Sequence, residues 1–226
     1  MKDLHGQAIL DYYKKEDASP LLLHNSYGET EEMPVEVFFR EHEDFTELEN
    51  TAIGACYGSI LDLGAAAGAH ALFLQALKFD VTALDISPGC IDTLRMSGMK
   101  KFSNDDYKKH KGKYDTILLL MNGLGLAGKL DQVPALLKHC QSLLKEGGQI
   151  LADSSDISYL YEDGTPMPDG YFGEVRYQYE YKNQKGDWFD WVYVDQDKLK
   201  EITSELGLNM EILFTDENDQ YLAKIY

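Results

Sequence analysis

The sequence of 226 residues predicts an α/β protein whose mostly parallel sheet is covered by helices on both faces. Between residues 59 and 153, short apolar segments alternate with segments of helical periodicity, which is the pattern of β–α–β units. The apolar segments are nearly continuous, so both faces of the sheet should be buried. The last two predicted strands are joined only by Asp216–Asp219, too short for a parallel crossover, and must pair antiparallel.

The central elements follow from this apolar pattern. The predicted strands cover residues 59–63, 81–84, 99–102, 114–121 and 149–153, and the predicted helices pass through 71–77, 91–94 and 131–145. Ser87 and Pro88 supply an N-cap and a first-turn proline for one helix, which Gly98 should end. The helix at 131–145 should close at its final lysine and at Gly147-Gly148.

Flanking segments complete a single predicted domain over residues 1–226. Residues 1–55 indicate a helical and irregular cover, and residues 56–156 form the core. Alternating apolar residues in 174–181, a turn at 183–187 and a return through 188–194 predict an inserted β-hairpin within 170–195. Residues 196–226 should hold a helix, ended by Gly207, and the antiparallel strand pair at 210–214 and 221–226.

Charge and cysteine content exclude several classes of protein. With 39 acidic and 21 basic residues the formal charge is -18, and the one basic cluster, Lys108–Lys113, is typical of a solvated loop. Nucleic acid is therefore a poor substrate, because its phosphates need a basic face. Cys56, Cys90 and Cys140 have no metal-ligand spacing, so we expect buried reduced thiols and no metal site. Without a signal peptide or a long apolar run, the chain should be cytoplasmic and not membrane-bound.

A loop of small residues marks the candidate ligand site. After the strand at 59–63, Asp62-Leu63-Gly64-Ala65-Ala66-Ala67-Gly68 turns sharply into a helix, so a ligand can lie against bare backbone near amide groups. Asp85 ends the next strand, where one carboxylate can accept from both hydroxyls of a ribose. A dinucleotide fingerprint needs a glycine at position 69, which is alanine. A tight turn packed only by alanines is the structural alternative.

These residues resemble the class I methyltransferases that use S-adenosylmethionine (SAM). The matching segments are 60–68, 81–88, 114–123 and 143–153, together with the final strand pair. Phe39-Arg40, Asp153–Asp156 and the hairpin tryptophans Trp188 and Trp191 also resemble a bacterial subgroup whose acceptors are unassigned. The resemblance implies a three-layer, Rossmann-like methyltransferase fold with a seven-stranded sheet, an antiparallel C-terminal strand and SAM bound by the 56–156 core. S-adenosylhomocysteine (SAH) would be the product.

The resemblance also implies roles for individual residues. Contacts to the methionine part of SAM would come from Asp62, Gly64, Ala66 and Gly68. Asp85, with Ile86 beside it, would hold the ribose, and either Asp105 or Asp106 would meet the adenine amino group. Asn122 would line the reactive end. Ala66 departs from the usual central glycine.

Several further residues carry two open interpretations. Arg40 could pair with the SAM carboxylate or with Glu36, Glu43 or Asp44 at the surface. Tyr27 could close over the donor. His70 could approach the ligand or face solvent. The two hairpin tryptophans could stack on a substrate, but packing onto the sheet is favoured.

Methyl transfer depends mainly on placing a nucleophile behind the methyl group. A general base is needed only for a protonated acceptor. In addition to Asn122, the candidates at the carboxyl end of the strand at 149–153 are Asp153, Asp156 and Tyr159, with Ser154 and Ser155. Asp153 and Ser154 could instead cap a following helix.

The predicted function is methylation of a small-molecule acceptor. The alternatives are an NAD(P)-dependent oxidoreductase and a non-catalytic SAM-binding protein.

Overall fold

A computed structural model describes residues 2–16, 19–162 and 166–226. The strands are β1 (Leu21–Asn25), β2 (Glu31–Met33), β3 (Ser59–Leu63), β4 (Asp80–Asp85), β5 (Phe102–Asn104), β6 (Tyr114–Leu119), β7 (Leu144–Ser155), β8 (Glu174–Tyr181), β9 (Gln184–Lys185), β10 (Phe189–Val192), β11 (Met210–Thr215) and β12 (Gln220–Ile225). The α-helices are α1 (Leu4–Lys14), α2 (Glu47–Ala55), α3 (Ala69–Ala76), α4 (Pro88–Met96), α5 (Val133–Leu143) and α6 (Gln196–Glu205).

The larger sheet confirms the predicted fold class. Its seven strands run in the order β11-β12-β7-β6-β3-β4-β5. The pairs β4–β5 and β6–β7 are parallel, whereas β12 is antiparallel to both β7 and β11. Most residues of β3, β4, β6 and β7 are buried, as their apolar sequences predict. The mixed sheet with an antiparallel final pair is the Rossmann-like methyltransferase architecture.

Local capping fixes α4 as predicted. The Ser87 hydroxyl accepts from the Cys90 amide at 3.1 Å, and Pro88 occupies the first turn. Gly98, with a φ of +85°, then ends the segment. Prediction and structure agree here because each signal lies within a few residues of the boundary it sets.

Several strand boundaries of the larger sheet differ from the prediction by one or two residues, and the differences at β5 and β7 are larger. The strand predicted at 99–102 is β5 at Phe102–Asn104. The glycine pair expected to close a helix lies inside β7, which starts directly after α5. Leu144 pairs with Tyr114 and Gln149 pairs with Thr116, so the residues between them bulge out of the ladder at Gly147, whose φ is +73°.

The second sheet corrects the prediction for residues 1–55, which contain strands as well as helices. Its order is β10-β8-β1-β2, with β9 paired to β8, so the predicted hairpin is confirmed and two unpredicted strands extend it. In β1, Leu21 and Leu23 are buried, but Leu22 is also apolar and hides the period-two pattern in the sequence. Long-range pairing with β8, at Leu23 and Tyr179, makes this segment a strand.

Contacts divide the chain into two compact units. One comprises residues 1–45, 61–110 and 176–189, and the other comprises 46–60, 111–175 and 190–226. The assignment of a single domain stays a prediction. The three cysteines are buried and free, as expected. No described helix combines the length and the apolar character that crossing a membrane requires.

Candidate cofactor site

The small-residue loop lies in the first unit, between β3 and α3. Gly64, Ala66 and Gly68 alternate in the left-handed region, with φ values of +83°, +48° and +89°. At Gly68 the left-handed conformation favours glycine, and an added Cβ would lie 2.3 Å from Leu94 Cδ2, so the buried Leu94 side chain would have to shift. Ala66 adopts the same region with a side chain, which costs about 1 kcal/mol. The sharp turn expected from the sequence is therefore present.

The amide groups of this loop are used internally. The Gly64 amide donates to the Leu84 carbonyl at 2.8 Å, the Ala66 amide to Asp85 Oδ2 at 2.9 Å, and the Gly68 amide to the Ala65 carbonyl at 2.7 Å. The sequence suggested that amides here could receive an anion. Because these three donors are already paired, the loop presents small side chains and backbone to a ligand, and these three N–H groups are not available to a phosphate.

Asp62 supplies the strongest chemical signal. Its side chain is buried, with 4% exposure, and within the described residues Oδ2 has no hydrogen-bond partner. Burial raises the pKa of Asp62 to about 6; nearby His70 opposes this rise and Asp85 adds to it. A buried carboxylate oxygen without a donor is costly. A ligand carrying a positive charge or N–H donors would satisfy it.

Asp85 stands at the end of β4 with both oxygens in defined positions. Oδ1 accepts from the Ser87 amide at 2.8 Å, and Oδ2 accepts from the Ala66 amide at 2.9 Å. Burial raises its pKa, these two amides oppose the rise, and Asp3 adds to it. Each carboxylate oxygen can accept more than one hydrogen bond, so neighbouring ligand hydroxyls can still be bound. The adjacent Ile86 is 70% exposed and offers an apolar surface.

The acidic pair after β5 is engaged locally. Asp106 caps a short 3-10 turn by accepting from the Lys108 amide at 3.0 Å, and Asp105 accepts from the Asp106 amide at 2.9 Å. Asn104 donates from Nδ2 to the carbonyls of Asp85 and Ile86, at 3.1 and 2.9 Å. Asn104 therefore fixes this edge of the candidate site, although no sequence pattern singles it out.

The remaining candidates of this unit have distinct environments. Arg40 is half-buried and donates from Nε to the Val37 carbonyl at 2.9 Å. The Tyr27 hydroxyl lies 3.2 Å from that of Tyr177. His70 is buried, with 6% exposure, and its ring lies 5.0 Å from that of Phe45, so the interpretation that it faces solvent is wrong.

In the second unit, the segment after β6 holds Asn122 in a constrained position. Met121 and Asn122 are consecutive left-handed residues, with φ values of +61° and +58°. The Ser155 hydroxyl donates to Asn122 Oδ1 at 3.0 Å. Gly125, in the following 3-10 turn, packs so closely against Trp191 that an added Cβ would lie 2.0 Å from Cε2. Strained residues held by such contacts are typical of functional segments.

The carboxylates after β7 separate into two kinds. Asp153 is 1% exposed and accepts from the Gly123 amide and from Gln220 Nε2, each at 3.2 Å, so it joins neighbouring elements and does not cap a helix. Ser154 accepts from the Val194 amide. Asp156 is half-buried and accepts from the Ser158 amide at 2.8 Å, while Tyr159 is 58% exposed. Of the predicted proton acceptors, Asp153 and Ser154 are buried, Ser155 and Asp156 are half-buried, and Tyr159 is exposed.

Comparison with known proteins gives a consistent result. A sequence model described as a methyltransferase domain matches residues 31–212. The chain is 36% identical to a SAM-dependent methyltransferase from Bacteroides fragilis solved in complex with S-adenosyl-L-homocysteine, with a TM-score of 0.93, covering 100% of this chain and 94% of that one. Proteins of curated function gave no match.

More distant structures share the fold. A S-adenosylmethionine-dependent methyltransferase from Clostridium acetobutylicum ATCC 824 is 15% identical, with a TM-score of 0.63 and coverage of 81% of this chain and 93% of that one. CalS10, an amino pentose methyltransferase from Micromonospora echinaspora solved with SAM, is 13% identical, with a TM-score of 0.58 and coverage of 88% and 99%.

Proposed function

This chain belongs to the methyltransferase-domain family and is a SAM-dependent methyltransferase, and we propose that it methylates a small-molecule acceptor. The observation that carries the donor assignment is the buried, unpartnered Oδ2 of Asp62 at the end of β3. SAM is a sulfonium cation with an ammonium group, so it offers both the charge and the N–H donors that this oxygen lacks. Membership of the family identifies SAM as the cofactor. The unpartnered oxygen of Asp62 supports the proposed position of the amino-acid part of SAM.

The first unit supports a complete set of donor contacts. We assign the methionine part to Asp62 and to the backbone of Gly64, Ala66 and Gly68, and the ribose to Asp85. Exposed Ile86 offers a surface for the adenine ring, and either Asp105 or Asp106 is the candidate for its amino group, since each uses one oxygen in a local hydrogen bond. Arg40 and Tyr27 stay predicted contacts. When bound, SAM supplies an electrophilic methyl group.

The protein's part in the reaction is to hold and orient the reactants. Ser155 fixes Asn122 Oδ1, which leaves the Asn122 amide nitrogen as a donor and makes this residue a predicted contact near the reactive end. Should the acceptor arrive protonated, Asp156 or Tyr159 is the proposed proton acceptor, because both are accessible. Asp153 was a candidate for the same role, but its burial and its two donors favour a structural one.

The acceptor is proposed to be a small molecule on grounds of charge. A formal charge of -18 disfavours nucleic acids and other polyanions. An amino pentose methyltransferase shares the fold, so the fold itself accommodates an acceptor of this size.

Two measurements test the proposal. In a thermal-shift panel, SAM and SAH should stabilise the protein and NADPH should not. Asp85→Ala should weaken SAM binding by roughly ten- to a hundredfold in titration calorimetry, because it removes hydrogen bonds to a charged group. Unchanged affinity would remove the ribose assignment.

Labelled methyl transfer to panels of amines, phenols and carboxylic acids should then identify the acceptor class. A protein or nucleic acid as the labelled product would contradict the small-molecule proposal.

A further inference from the structure

The carboxylate of Asp3 is connected through Ser87 to the ribose-binding residue of the proposed site, Asp85. Asp3 precedes α1 and caps it by accepting from the Gly6 amide at 3.1 Å. Its other oxygen accepts from the Ser87 hydroxyl at 2.8 Å and from the Gly89 amide at 2.9 Å. One side chain therefore joins the start of α1 to the start of α4.

This contact continues to Asp85 through Ser87. The Ser87 amide donates to Asp85 Oδ1 at 2.8 Å, while its hydroxyl donates to Asp3 and accepts from the Cys90 amide. The amide and the hydroxyl of Ser87 are thus both fixed by hydrogen bonds. The position of Ser87 influences the rotation of the Asp85 carboxylate, because Asp85 Oδ1 accepts a hydrogen bond from the Ser87 amide.

Two glycines allow this arrangement. An added Cβ on Gly89 would lie 2.3 Å from the Gly6 carbonyl oxygen, and one on Gly6 would lie 2.0 Å from Ser87 Oγ. The backbones of α1 and α4 therefore approach each other without intervening side chains. Asp3 could cap α1 without this close approach of the two backbones. The approach is needed for the Asp3 side chain to contact Ser87 and Gly89 as well.

We infer that Asp3 is a positioning residue for the SAM ribose, which it serves by holding Ser87 and thereby the carboxylate of Asp85. This inference rests on the proposed donor site. The charge of Asp3 is itself unfavourable here, because like-charge repulsion from Asp3 raises the pKa of Asp85. Its benefit must therefore be geometric, and geometric positioning of a ribose contact affects SAM and SAH alike.

A double-mutant cycle tests the inference. Dissociation constants for SAM and SAH would be measured by calorimetry for the unmodified protein, Asp3→Ala, Asp85→Ala and the double variant. Asp3→Ala should weaken both ligands equally, by about fivefold, and the double variant should bind about as weakly as Asp85→Ala alone. Asp92→Ala, which removes an exposed α4 carboxylate paired with Arg95, is the matched control and should leave both constants unchanged.

Four results would overturn the inference. Additive effects in the double variant would show that Asp3 does not act through Asp85, and weakening of SAM alone would show that Asp3 acts only by attracting the sulfonium. An effect of Asp3→Ala no larger than that of the control would remove its role. If Asp85→Ala itself has no effect, the ribose assignment falls together with the inference. Should Asp3→Ala fold poorly by circular dichroism, Asp3→Asn replaces it in the same cycle, because its single acceptor oxygen can keep the α1 cap or the contact with the Gly89 amide but not both.

Discussion

Replacing Asp62 by asparagine should make the ligand-free protein more stable and the enzyme weaker in SAM binding. Burial raises the pKa of this carboxyl from 3.8 to about 6, so above pH 6 the fold holds an ionised, partly unpaired group. At about 1.4 kcal/mol per pH unit, its ionisation costs about 3 kcal/mol of stability. The cost is absent below pH 3.8 and fully present above pH 6, because the folded-state pKa is raised. The asparagine amide that replaces the carboxylate would itself be buried without a full set of partners. This costs about 1 kcal/mol or more and makes the net gain in stability smaller.

We therefore expect Asp62→Asn to gain about 1–2 kcal/mol in free energy of unfolding at pH 7.5, measured by urea denaturation without ligand, and to gain nothing at pH 4.

The SAM affinity of the Asp62→Asn variant should fall about tenfold or more. In the unmodified protein SAM affinity should also fall about tenfold per pH unit below pH 6, and the variant should lose this dependence. Asp44→Asn, at an exposed carboxylate, is the control. A variant with unaltered stability and the same pH dependence of SAM binding would refute the assignment of Asp62.

Three further changes probe the surrounding framework. Ala66→Gly relieves roughly 1 kcal/mol of left-handed strain, which the added flexibility of glycine partly offsets, and should raise Tm by about 1–2 °C; a lower Tm would contradict the strain assigned to Ala66. Gly125→Ala should clash with Trp191 and cost about 1–3 kcal/mol in urea denaturation, and an unchanged midpoint would contradict the close packing. Ser155→Ala frees Asn122 and should lower kcat with little change in SAM affinity, so an unchanged kcat would show that this hydrogen bond has no part in turnover.

Local signals in the sequence account for most of the larger sheet and for the position of the donor site. The strand Ser59–Leu63, the cap at Ser87 and the final antiparallel pair follow from residues adjacent to each boundary. β1 could not be found in this way, because its pairing with β8 joins residues more than 150 positions apart. The bulge at Gly147 likewise arises from the register between β6 and β7.

The chemistry of the site shows the same division. Asp62 and Asp85 stand out from their positions after predicted strands, yet the unpaired oxygen of Asp62 and the internal use of the loop amides depend on three-dimensional contacts. Asp3 is distant in sequence from the residues it meets, and no pattern around it indicates a partner at Ser87 or Gly89. Residues at the end of a strand can thus be found from the sequence, whereas residues that connect distant elements, such as Asp3, cannot.

The internal pairing of the loop amides has a consequence for competing ligands. ATP and related nucleotides carry the same adenosine as SAM, but they add several negative charges. The amides at positions 64, 66 and 68 are already engaged, and carboxylates stand at positions 3, 62 and 85, so a triphosphate would find repulsion and none of these donors. The enzyme can therefore discriminate against abundant adenosine phosphates by the sign of their charge, without having to recognise any difference in the nucleoside.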